Sequence, residues 1–199
     1  MVRLTEVVKN LLIINVLIFF AVRYLLPIPG IEQYFVLVYP GAEFMNDGFL
    51  YTFQPIQIVT HMFMHGNESH LLFNMLSLYF LGPYTEEALG PKRFLILYLT
   101  SGFVASIAQM LLTQGAIVGA SGAIYGVLAA FATMFPNLRL MLLFPPIPIK
   151  AKYMALGLIA FGLYSGMSGS NDNIGHFAHI GGAVCGFIMV HYWKMANLR

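Results

Sequence analysis

Apolar residues run in long blocks along this chain, and the polar ones gather at a few fixed places between and within them. A helix crosses the hydrocarbon core of a bilayer with about 20 mostly apolar residues. Six blocks predict such helices: 11–26, ending before the breaker Pro27-Ile28-Pro29-Gly30; 69–81, with an ordered lead-in from Ile56 and an inner end near Gly82-Pro83; 94–112; 119–135, stopped by Pro136; 153–164, extending toward Met167; and 175–193. The expected fold class is an all-α membrane protein, a six-transmembrane-helix bundle forming a single domain over 1–199. Arg3 and Lys9 precede the first block as they would in a cleaved signal peptide, but Tyr24-Leu25-Leu26-Pro27 is a poor cleavage site, so this block is taken as a span. No internal repeat, low-complexity tract or second domain is visible.

Composition points the same way. Of the 199 residues, 59% are hydrophobic and 9% charged, against about a quarter charged in ordinary soluble domains. A soluble fold of this length would expose large apolar patches, so the partner the chain requires is the lipid bilayer. The net charge of +2 gives no reason to expect nucleic acid. Cys185 is the one cysteine and has no internal disulfide partner.

Charge also tests the span count. With the N-terminus in the cytoplasm, Arg3, Lys9, Lys92, Arg93, Arg139, Lys150, Lys152, Lys194 and Arg199 all fall inside. Only Arg23, of 10 basic residues, lies at an outer end. One span more or fewer would scramble that sorting, so both termini are expected to be cytoplasmic. The outer loop between the first two spans carries Glu32, Glu43 and Asp47 among many Tyr and Phe residues, and is expected to lie in the outer interface.

Polar groups inside a membrane are expensive and usually functional. Three clusters stand out: His61, His65, His70 and Asn74 before and within the second span, Gly119-Ala120-Ser121-Gly122 at the start of the fourth, and His176 and His179 at the start of the sixth. At about 1.5 Å per residue, counted back from the inner ends, all three lie roughly 18–24 Å above the inner edge. That common depth, below the outer surface, calls for a shared water-accessible cavity. Gly122 and Gly126 are four residues apart, as are Gly182 and Gly186, and such small-residue pairs let helix backbones approach closely. His179 shares the glycine face of the sixth span, and Ser121 immediately precedes that of the fourth.

A serine hydroxyl needs a base to become a nucleophile. Ser121 is therefore the candidate nucleophile and His179 the candidate general base and acid. A tetrahedral intermediate needs fixed donors for its oxyanion. His70 and Asn74, at i,i+4 on one helix face, together with the Ser121 backbone N–H, are the candidates. No carboxylate is placed to orient His179, Asp172 being the nearest on its own segment, so the expectation is a Ser–His dyad. Tyr125, one turn after Ser121, can stack on the imidazole. Each residue also has a plainer reading: Ser121 as glycine-helix packing, His70 and Asn74 as helix-bridging polar groups, Tyr125 as a core aromatic. His61 and His65 read as structural, and His176 is the rival base.

His61, His65, His70-x-x-x-Asn74, Gly119-Ala120-Ser121-Gly122 with Tyr125, and Ala178-His179-x-x-Gly182-x-x-x-Gly186 together resemble the rhomboid family of intramembrane serine proteases, over about 55–193. The resemblance implies a rhomboid-like bundle that cleaves single-span transmembrane proteins in or near the outer part of their helix, with no metal and no cofactor. It implies Ser121 as nucleophile, His179 as base, His70, Asn74 and the Ser121 amide as oxyanion donors, and Tyr125 as the stacking residue, with Gly119 and Gly122 supporting. The compact six-span form resembles bacterial members, so a bacterial inner membrane is expected. Two departures stand out. The first outer loop has no Trp, where many members carry a Trp-Arg pair, which puts the loop's anchoring in question. Glu68 occupies a position where an apolar residue is more usual, and could bias the ionisation of His70.

Three rival functions remain. A catalytically inactive rhomboid-like protein that binds membrane helices would typically lack the serine or histidine. A haem or metal protein would want histidine pairs facing each other between helices. A transporter should show related halves, and spans one to three do not echo four to six.

Overall fold

The computed structural model describes residues 3–25, 28–46, 48–141, 146–168 and 174–195. Helix α1 (Glu6–Phe20) continues into a π-helical turn, Ala21–Leu25. A loop segment follows with a 3-10 turn (Ile31–Tyr34), the hairpin β1 (Phe44–Asn46) and β2 (Phe49–Tyr51), and a single-turn helix α2 (Gln57–Thr60) running into a 3-10 turn at His61–Phe63. Then come α3 (Glu68–Leu89), α4 (Pro91–Leu112) and α5 (Ser121–Met134), a second antiparallel hairpin of β3 (Arg139–Met141) and β4 (Pro148–Lys150), α6 (Ala151–Met167) and α7 (His176–Met195).

All six apolar blocks are helices, with ends that differ from the sequence reading. The first helix starts at Glu6, five residues before the apolar block, because α3 supplies its cap. The Glu86 carboxyl accepts from Val7 N at 3.1 Å, Val8 N at 2.9 Å and Thr5 Oγ1 at 2.5 Å. These amides belong to the first turn, which has no partner inside its own helix. The third helix was expected to stop near Gly82-Pro83, yet it passes through Pro83 to Leu89. Tertiary contacts hold that extension: Tyr84 packs edge-on against Phe131 (5.9 Å) and Phe135 (6.4 Å) of the α5 end. Gly90, at φ 79°, ends α3 and Pro91 opens α4, the arrangement favoured at such a junction.

Helix α5 lies at the centre, buried nearly all round by small and apolar side chains from Gly122 to Ala132. Helices α7, α4 and α3 surround it, whereas α6 packs mainly on α7 and leaves much of its own surface exposed. By length and composition, two helices among the described residues could cross a membrane: Glu6–Leu25 and Pro91–Leu112, each at mean hydropathy 1.8. Helix α5 is apolar but shorter, and α3 and α7 carry the polar clusters that lower their hydropathy.

Glu86→Ala should destabilise the fold by about 2–4 kcal/mol, since it strands two first-turn amides, that of Val8 buried, and removes hydrogen bonds to a carboxyl group. Reversible unfolding in detergent measures this, and a change below about 0.5 kcal/mol would mean that the α1 cap contributes little.

Candidate active site

Ser121 is the first residue of α5, so its amide is one of the N-terminal N–H groups that the helix leaves unpaired. The approach to it is fixed by backbone. The Gly119 N–H donates to the His61 carbonyl at 2.9 Å, and Leu37 and Ile117 exchange two backbone hydrogen bonds at 3.0 and 2.9 Å. Gly119 itself sits at φ 121°, where a side chain would be strained. A Cβ there would also come within 2.8 Å of His70 Nε2, so glycine is required on both counts.

His179 comes to Ser121 from α7. Its Nε2 lies 2.8 Å from Ser121 Oγ, within hydrogen-bond range. Tyr125 stacks on the imidazole with ring centroids 4.2 Å apart and planes 7° from parallel. The two helices meet backbone to backbone. A Cβ at Gly182 would overlap the Gly122 carbonyl, one at Gly186 would overlap that of Gly126, and one at Gly126 would strike the Ser101 hydroxyl. The glycine spacing seen in the sequence thus marks the contact face, and it sets how close the histidine can come.

His70 and Asn74 line the same cavity, of about 750 Å³, with Gly119, Ser121, Tyr125 and His179. The Asn67 side chain caps α3 by accepting from His70 N at 2.8 Å, which fixes the turn that carries His70. His70 Nδ1 accepts from Gly66 N at 3.4 Å, so by this assignment the proton is on Nε2, the nitrogen nearest Gly119. Asn74 Nδ2 donates to the His70 carbonyl at 2.8 Å.

The other sequence candidates separate by place. His176 is buried and meets His179 edge-on at 6.4 Å, and it is His179 that bonds Ser121. His61 Nδ1–H donates to the Gln57 carbonyl at 2.8 Å. Burial pushes its pKa down to about 4. His65 packs against Phe19 and His70, with no hydrogen-bond partner on either ring nitrogen. Burial, with a smaller effect of His70, pushes it down to about 3, so both histidines are neutral near pH 7. The carboxylate of Glu68 takes a short hydrogen bond from the Tyr24 hydroxyl at the end of the first helix, which gives it a partner other than His70. Asp172 lies outside the described residues.

Two positioning residues carried no signal in the sequence. Gln57, fully buried, makes four hydrogen bonds: Nε2 to the Gln33 and Thr52 carbonyls (2.7 and 2.9 Å), and Oε1 from Val38 N and Gln54 N (3.2 and 3.0 Å). It gathers the loop that lacks the Trp-Arg pair. Gln109 of α4 accepts from Ala178 N at 3.1 Å, holding the first turn of α7 one residue before His179. A lone Gln in a loop or helix looks ordinary until its partners, 69 residues away in the case of Gln109, are known.

Comparison with known proteins identifies the family. The family model "Rhomboid domain" matches residues 52–195. The chain belongs to the rhomboid family, whose members are embedded in membranes. It is 33% identical over 137 residues to "Putative rhomboid protease YdcA" of Bacillus subtilis (67% of this chain, 64% of that protein). It is 34% identical over 131 residues to "Rhomboid protease GluP" of the same organism (66% and 24%), and 30% identical over 153 residues to "Rhomboid protein 1, mitochondrial" of Saccharomyces cerevisiae (73% and 44%). The chain thus spans under two thirds of the length of these relatives.

Gly182→Ala should cost at least about 2 kcal/mol, because the new methyl meets a backbone carbonyl that no rotamer change can move. Graded unfolding in detergent reads this; wild-type stability would mean that α5 and α7 do not approach so closely.

Proposed function

We propose that this chain is an intramembrane serine endopeptidase of six transmembrane helices, both termini cytoplasmic, that cleaves single-span membrane proteins in or near the outer part of their helix. The observation that carries the reading is the 2.8 Å contact between Ser121 Oγ and His179 Nε2 beneath the stacked Tyr125. Support for the span count comes from the helices at all six apolar blocks and from the sorting of basic residues. The one outlying cation, Arg23, pairs with Glu32 of the outer loop at 3.4 Å. Helix α5, at 14 residues, is about 21 Å long. That is less than the thickness of a hydrocarbon core, so Ser121 starts below the membrane surface. The relatives come from bacteria, yeast and plants, so the expected bacterial inner membrane is one of several possible settings.

In this reading His179 Nε2 removes the Ser121 proton as Oγ attacks the scissile carbonyl carbon. The C=O π electrons move onto oxygen, and the oxyanion is held by the Ser121 N–H, His70 Nε2–H and the Asn74 amide. Protonated His179 then gives its proton to the leaving amine as the C–N bond breaks, leaving an acyl-Ser121 ester. Water, deprotonated by His179, attacks that ester, and Oγ leaves with the proton. Tyr125 keeps the imidazole plane aimed at Oγ throughout. No step needs a metal or cofactor.

The deciding experiment compares wild type and Ser121→Ala in mild detergent on a panel of single-span substrates, read by gel and mass spectrometry. Ser121→Ala should lower cleavage by about 10⁴-fold or more. Cleavage by both proteins would refute the nucleophile. If neither cleaves, failure of a fluorophosphonate to label wild-type Ser121 would favour the second reading, an inactive rhomboid-like protein that binds membrane helices.

Access follows from packing. Helices α3 and α6 make little contact with each other, and Phe73, Asn74 and Ser77 of α3 line the cavity. Substrate is expected to enter between them. A crosslink joining α3 to α6 should abolish cleavage of transmembrane substrates, and cleavage that survives the crosslink would place the entry elsewhere.

A further inference from the structure

The hairpin between α5 and α6 joins cations that have no ion-pair partner among the described residues. Arg139 of β3 and Lys150 of β4 are direct cross-strand partners, so their side chains leave the same face of the ribbon. Like charges placed directly opposite are destabilising. Lys152 follows within the first turn of α6, a turn with no acidic residue. Its ammonium lies 5.1 Å from the Tyr153 ring. No Asp or Glu occurs anywhere between Glu87 and Asp172. Among the described residues the only ion pair is Arg23–Glu32, at the other end of the bundle.

The ribbon turns apolar toward the tip. Leu140 faces the protein and packs on the core, while Met141, on the face of Arg139, is 64% exposed. Ile147, just before β4, is 49% exposed. A surface with cations at its base and uncovered apolar side chains beside them matches one environment, the boundary between headgroups and acyl chains. Free phosphate would satisfy the cations and leave Met141 and Ile147 in water. An acidic protein segment would need its own apolar complement.

We propose that the β3–β4 hairpin is a docking surface for anionic phospholipid: Arg139, Lys150 and Lys152 take the headgroup phosphates, and Met141 and Ile147 enter the acyl region beside them. The strand β4 passes without a break from Lys150 into Ala151 of α6. Bound lipid therefore tethers the foot of α6. The inference goes beyond the proteolytic reading and does not depend on it, and its test reads lipid binding alone.

The full chain is reconstituted in phosphatidylcholine containing a minority of phosphatidylglycerol, and selectivity for the anionic lipid is read from spin-labelled lipids. Wild type should prefer phosphatidylglycerol, and the preference should fall as salt screens it. The triple variant R139Q/K150Q/K152Q should lose about tenfold or more in relative association. The control K92Q/K194Q, altered at the same end of the bundle, should lose much less. M141S/I147S should lower retention of both lipids at the hairpin. Four results would each overturn the proposal: a salt-insensitive wild type, a triple variant as selective as wild type, a control that loses as much, or displacement of phosphatidylglycerol by millimolar inorganic phosphate. The salt series uses the unmodified chain, so the test stands even if a variant folds poorly.

Discussion

The backbone contact between α5 and α7 governs this molecule. At Gly182 and Gly186, which lie over the Gly122 and Gly126 carbonyls, the helices are closer than any side chain permits. In lipid, apolar side chains gain little by leaving one apolar neighbour for another, so helix association rests on close packing and hydrogen bonds. The glycine stripe supplies that packing, and it also sets a distance. Ser121 begins one helix and His179 lies in the first turn of the other, so the separation of the two backbones fixes the separation of hydroxyl and imidazole.

Polar groups in such a setting have to be satisfied locally. The first-turn amides of α1 find Glu86 on α3, the α3 turn at His70 finds Asn67, and Ala178 N on α7 finds Gln109 on α4. Each bond joins a helix end to an element distant in sequence or to its own cap, and each fixes an angle that apolar packing alone would leave loose. The Tyr24–Glu68 contact does the same between the first helix and the start of α3. The ring nitrogens of His65, with Asn15 Oδ1 and the Tyr98 and Ser101 hydroxyls, stand apart from this pattern.

The lipid-facing parts follow a different logic. Helix α6 exposes Leu156, Phe161 and Tyr164 and touches the bundle mainly through α7, so it is held more loosely than α5 or α7. Its foot continues from the β3–β4 hairpin, where charge and apolar surface are both left uncompensated among the described residues. Core and periphery are thus built from opposite materials: glycine contacts and satisfied hydrogen bonds around the site, and bulky exposed side chains where the bilayer is the neighbour.

The sequence by itself determined the helices, their order and the residues that meet. Runs of apolar residues, glycines at i,i+4 and polar residues stranded at one depth are all local patterns, and local patterns survive without coordinates. It misplaced the start of α1 and the end of α3, because Glu86 and Tyr84 extend those helices through partners on other elements. It could not reveal Gln57 or Gln109, whose roles lie wholly in which distant backbone groups they reach. It favoured His179 over His176, three residues apart, through the glycine face that His179 shares and the family resemblance, not through a contact with Ser121. Only the rotation of α7 about its glycine contact decides which ring faces Ser121, and that rotation is a property of the packed bundle.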